Sequence, residues 1–206
     1  MQEKNYLKDI QEIKKIMNKS TKFLSLSGLT GILVGIYALI GAFIADNILK
    51  KHFTYSNNDS INPNSIKLEL LLIAFLVAFT SIITAYILTK RKTKKERQSM
   101  WNPTVKRLVF YFTVPLITGG IFSLELLNLR FFGLIAPVTL IFYGIALISA
   151  SNFTFSNIKY LGIAEIILGL IAMNYIGYGL YFWAVGFGVF HIIYGSIMYI
   201  NENNHK

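Results

Sequence analysis

Cysteine is absent from the 206 residues, proline occurs four times, histidine three times, and charged residues make up only 15%. Without cysteine there is neither a disulfide framework nor a thiolate metal site, and thiol usage says nothing about the redox compartment. Of the histidines only His191 lies inside an apolar run, too few ligands at one depth for a zinc or bis-histidine haem site. No HExxH, GxSxG or phosphate-binding glycine loop occurs, so metalloprotease, serine-hydrolase and nucleotide-driven chemistry have no motif to stand on. Ser149 and Ser196 are hydroxyls within reach of the His191 run, but no motif makes either a nucleophile. The chain is therefore expected not to be an enzyme, with no catalytic residue, no metal site and no cofactor.

What is present is apolar and segregated. Hydrophobic residues make up 54% and aromatics 15%, while most of the lysines and arginines behind the net charge of +10 fall in residues 4–22 and 90–107. That separation predicts an all-α polytopic membrane helix bundle with six transmembrane helices, at about 23–45, 68–89, 105–124, 131–150, 160–176 and 180–200. The first twenty-two residues carry six lysines, with Tyr6, Ile10, Ile13 and Met17 at helical spacing. They read as a cytoplasmic amphipathic helix on anionic lipid headgroups or, alternatively, as a docking helix for a cytoplasmic partner. The KRKTKKER run holds six positive charges and one acid. It marks a cytoplasmic loop, and with no folded module or interleaved aromatics it predicts no direct nucleic-acid binding. The charge asymmetry puts both termini, and the 201–206 tail, in the cytoplasm of a bacterial inner membrane. The segment from Asp46 to Ser65 is then the sizeable external loop, with His52 solvated in it. Asn102-Pro103 reads as an N-cap followed by proline at the first helical position, and Ser156 or Asn157 as a cap for the fifth span.

Small residues recur at helical spacing. Gly28, Gly31 and Gly35 stripe the first span, Gly162 and Gly169 the fifth, and Gly188 and Gly195 the sixth, so these faces are the expected close helix contacts. The first span can also be laid on the fifth, matching Gly28 with Gly162 and Gly35 with Gly169. Pro115 and Pro137 interrupt the third and fourth spans in mid-membrane on a linear count and are candidate helix breaks.

Two ionisable residues lie within the last hairpin. Glu165 stands thirteen residues before Tyr178, and His191 thirteen after it, in a Gly177-Tyr178-Gly179 turn. Antiparallel helices would bring them to one depth, roughly 10 to 14 Å inside the boundary. An acid and an imidazole in hydrocarbon are costly unless paired or hydrated, which makes them the candidate intramembrane polar site, with Tyr37, Thr84, Tyr143 and Asn174 as candidate neighbours. Burial favours a neutral pair and close approach an ionised one, so proton sharing is expected. The structural alternative is that the two only hold the bundle together.

The stretches SLSGLTGILVGIYALIGAF, GLIAPVTLIFYGIALISAS and YLGIAEIILGL, with GYGLYFWAVGFGVFHIIYGSIMY, resemble a family of uncharacterised six-span bacterial inner-membrane proteins over nearly the whole chain. The resemblance implies a setting often beside a small winged-helix regulator, hence a partner or a shared stimulus, and brings no catalytic residues. Two functional expectations follow from the residues. One is a small channel, carrier or permease-like component working through Glu165 and His191. The other is a non-transporting sensor or assembly module, a homo-oligomer or a partner-binding protein, using its basic face.

Overall fold

In the computed structural model of the chain, residues 27–54, 63–96, 99–155 and 157–204 are described. The expected amphipathic helix at 1–22 and the centre of the expected external loop lie outside them. The described residues form six helices and no strand: α1 (Gly28–Thr54), α2 (Pro63–Lys95), α3 (Pro103–Asn128), α4 (Ile135–Ala150), α5 (Ile158–Ala172) and α6. A short 3₁₀ turn, Phe132–Leu134, leads into α4. α6 is composite, with α-helical Gly179–Trp183, a π-helical Ala184–Phe190 and α-helical His191–Asn204.

Five of the six, all but α5, are long and apolar enough to cross a membrane. α5 has 15 residues, about 22 Å of rise, short of a hydrocarbon core of about 30 Å. It stops because the chain turns from Met173 onward, and Gly177 takes φ 101°, a left-handed conformation that glycine adopts without strain.

Several boundaries differ from the sequence expectations. The segment after Asp46 is helical as far as Thr54, carrying His52 in the last turn of α1, with Lys50 Nζ reaching Asp46 Oδ2 one turn back at 2.5 Å. Pro137 is not a mid-helix break: it is the third residue of α4, in the first turn, where its missing N–H interrupts no helical bond. Pro115 does lie inside α3, which continues through it. Asn102 caps α3, its side chain accepting from Val105 N at 2.8 Å with Pro103 next in line. Asn157 precedes α5 but makes no side-chain capping bond.

Packing divides the helices into two groups. α1 lies between α2 and α6, and α4 lies between α3 and α5. The glycine stripes explain why. A Cβ on Gly35 would stand 2.6 Å from Gly188 O, and one on Gly195 would stand 2.7 Å from Gly28 O, so the α1 and α6 stripes meet each other, backbone against backbone. A Cβ on Gly162 would stand 2.7 Å from Gly144 O, and one on Gly169 would stand 2.9 Å from Pro137 O, so α5 is seated closely on α4. The striped faces are close helix contacts, the α6 stripe on α1 and the α5 stripe on α4, each against an antiparallel helix.

At one end of the first group, Glu202 Oε1 accepts from Gly28 N at 3.1 Å and from Lys92 Nζ at 2.9 Å, joining α6, α1 and α2. α2 otherwise presents Leu68, Leu72, Phe75, Phe79 and Ile82 outward. Exposed apolar side chains in that number suit a lipid solvent rather than water.

Candidate functional site

The two groups meet through the first half of α6. Gly179 approaches Ala136 of α4, and a Cβ on Gly186 would collide with Leu140 of α4, Glu165 Oε2 and Leu168 of α5. Glu165 from α5, Tyr143 from α4 and His191 from α6 converge at this junction.

The imidazole is held at both nitrogens. Nδ1 lies 3.1 Å from Gly186 O, and Nε2 lies 2.6 Å from the Tyr143 hydroxyl. A carbonyl only accepts, so Nδ1 carries the proton. In the neutral ring Nε2 is then bare and accepts the Tyr143 O–H. This assignment satisfies every polar atom of His191 without Glu165.

Gly186 O is within reach because the backbone is π-helical from Ala184 to Phe190. A π-turn displaces the ordinary i to i−4 ladder and leaves carbonyls open to other donors, and such turns are frequent at functional sites. The same turn points an aromatic file inward. Trp183 and Phe187 have ring centroids 5.0 Å apart, Phe187 and Tyr143 4.9 Å, and Tyr143 and His191 5.3 Å.

Glu165 is the unsatisfied member. It is 0% exposed, and neither Oε1 nor Oε2 has a hydrogen-bond partner. His191 Nδ1 is the nearest described base, 3.6 Å from Oε1, an electrostatic contact beyond hydrogen-bond length. Enclosing an ionised carboxylate without a partner costs several kcal/mol, so such a group signals either an occupant or a role that outweighs the loss of stability.

The other candidates fall elsewhere. Thr84 Oγ1 donates to Tyr37 OH at 3.3 Å across α1 and α2, a separate polar pair. Asn174 is exposed in the turn after α5 and bonds back to Leu170 O at 3.3 Å. Pro115 is on α3, whereas Pro137 is fully buried in the first turn of α4, three residues before Leu140. Two participants escaped the sequence reading. Gly186 sat beside Gly188 in VGFGV, where the doubled glycine was the available signal, and Gly144 immediately follows Tyr143. An open groove of about 560 Å³ along α3, lined by residues including Trp101, Lys106, Phe110 and Thr113, shares no residue with the junction. Among the described residues no group of three histidine, cysteine, aspartate or glutamate side chains comes together to hold a metal ion.

The chain matches no family model, no curated protein and no solved structure in comparison with them. The functional reading therefore rests on the junction and on the helices around it.

Proposed function

We propose that this protein is a small carrier or permease-like component of a bacterial inner membrane, working through the Glu165 and His191 pair as a proton or cation site. The observation that carries the reading is the fully enclosed Glu165 carboxyl with both oxygens unpartnered, beside an imidazole that is already satisfied. A purely structural role would pair the acid, because an unpaired buried oxygen weakens the fold. Support also comes from location: the pair lies where two three-helix groups meet, and carriers commonly bind at the interface between helix groups that move against each other.

In this proposal all six helices span, α5 reaching the interfaces through its flanking turns. Both termini face the cytoplasm, where the Lys90–Lys95 end of α2 and the basic amino-terminal segment meet anionic headgroups. The test is flux of protons and of alkali cations into liposomes holding the purified protein, compared between wild type and Glu165→Gln. Flux in the wild type that the variant lacks upholds the reading, and equal leak in both defeats it.

One observation favours a second reading. Glu165 and His191 are 0% and 5% exposed, a closed core of the kind a non-transporting sensor or assembly module would have. Absence of flux together with a pH-dependent association, with itself or a cytoplasmic protein, would support the module.

A further inference from the structure

We infer that the occupant of this junction is the proton alone, held on Glu165 and delivered through Tyr143 and His191. The inference rests on the proposal that Glu165 is the working group, and it narrows the ligand of that site. Three observations exclude larger occupants. Glu165 Oε2 already lies against the Gly186 backbone, with Leu140 and Leu168 packed around the same point, so no hydrated ion fits. A bare hard cation asks for about six oxygen ligands, whereas neither carboxyl oxygen has a hydrogen-bond partner and the Gly186 carbonyl is engaged by His191. The imidazole lone pair, the donor a softer ion would use, is taken by the Tyr143 hydroxyl.

A proton needs only an acceptor and a path, and both are present. The path lies within the junction itself, since the Tyr143 hydroxyl meets His191 Nε2 at 2.6 Å and His191 Nδ1 faces Glu165 Oε1 at 3.6 Å. A proton arriving at the Tyr143 oxygen releases the hydroxyl proton to Nε2, and the ring becomes imidazolium. Its Nδ1–H then passes to Glu165 Oε1, closing a 3.6 Å gap by a side-chain shift of under about 1 Å to hydrogen-bond length. One proton has entered, Tyr143 is again a neutral phenol, the ring keeps its single proton on Nε2, and the carboxylate has become an acid. The titratable groups facing the acid are Tyr143 from α4 and His191 from α6, with Tyr194 of α6 beyond Tyr143. The other titratable side chains of α5, Lys159 and Tyr160, are exposed at its start. From α1 the nearby side chain is the apolar Leu39, packed at Gly188.

The test is infrared difference titration of the full chain in lipid bilayers, which reads the carbonyl stretch of a protonated carboxylic acid directly. Wild type should show one enclosed acid band that titrates with pH and is indifferent to added sodium, potassium, magnesium or calcium. Glu165→Gln should lose it, and Glu165→Met, tested in parallel, guards against misfolding of either variant. Tyr143→Phe should keep the band and slow its response to a pH jump. A band shared by wild type and both variants, or one displaced by a metal cation, overturns the inference. An unchanged pH-jump response in Tyr143→Phe overturns the route. Because the readout is proton occupancy, a titrating band without flux would defeat the carrier reading and leave this one standing, and cation flux without the band would do the reverse.

Discussion

Replacing glycine by alanine along the α1–α6 seam measures how closely the two helices depend on each other. A Cβ on Gly35 would stand 2.6 Å from Gly188 O and 2.7 Å from Ile192 Cγ1, and one on Gly195 would stand 2.6 Å from Ile32 N. Ordinary contact begins at 3.4 Å, so the backbones must part by about 0.8 Å. A gap of that size forfeits about a quarter to a half of the dispersion energy of each atom pair it opens, and overpacking of this kind costs about 1–3 kcal/mol. Alanine returns about 0.5–1 kcal/mol through its better helix propensity, leaving a net loss of about 0–2.5 kcal/mol with a middle value of about 1. Gly120 is the internal control, since nothing lies within 4 Å of its Cβ position, and Gly120→Ala should gain what the propensity alone supplies. For a chain of this length about 1 kcal/mol moves a melting midpoint by about 2–4 °C. Thermal unfolding in detergent should therefore rank Gly120→Ala above wild type, and wild type above Gly35→Ala and Gly195→Ala. Gly188 faces the flexible Leu39 side chain rather than backbone, so its alanine variant should be milder, and leucine at Gly35 or Gly188 worse. The double variant Gly35→Ala with Gly195→Ala should lose less than the sum, because one separation of the helices serves both. Identical melting of Gly35→Ala, Gly195→Ala and Gly120→Ala would refute the close seam.

The junction should respond asymmetrically. His191→Gln strands the Tyr143 hydroxyl and Gly186 O and should cost about 1–3 kcal/mol, whereas Glu165→Met removes a group with no partner and should be neutral or stabilising; equal losses in a melting comparison would sink the hydrogen-bond assignment. Asn102→Ala removes the side-chain acceptor for Val105 N and should lower stability by about 1 kcal/mol, with Asn102→Ser retaining most of it. Single cysteines introduced at Ser56 and Lys94 should label from opposite faces of the membrane, and labelling of both from one face would end the six-span arrangement.

How much of this was readable in the chain follows from what each kind of signal encodes. Apolar runs of about 20 residues bounded by clustered lysines point to helices in lipid, because hydrocarbon requires every backbone group to be paired and closed barrels use shorter, alternating strands. The equal thirteen-residue spacing about Tyr178 nominated Glu165 and His191 as neighbours, and they lie 3.6 Å apart at Nδ1 and Oε1, although the chain between them turns at 173–178 and is π-helical at Ala184–Phe190 rather than uniformly α-helical. Glycine stripes announced that Gly28, Gly31, Gly35, Gly188 and Gly195 lie at close approaches. A stripe states that a neighbour is near, not which helix it is, and only the tertiary structure joined α1 to α6 and α5 to α4. It also decided that α1 runs helical past Asp46, and that Pro137 sits in the first turn of α4, neither of which hydropathy registers. The π-turn at Ala184–Phe190 was the least legible feature. At its centre Gly186 leaves no room for a Cβ beside Leu140 and Glu165, and its carbonyl takes the His191 Nδ1 proton. Residue types alone could nominate an acid and a base at one depth. Which of them would be satisfied and which left bare depended on where three helices placed a tyrosine hydroxyl and one backbone carbonyl.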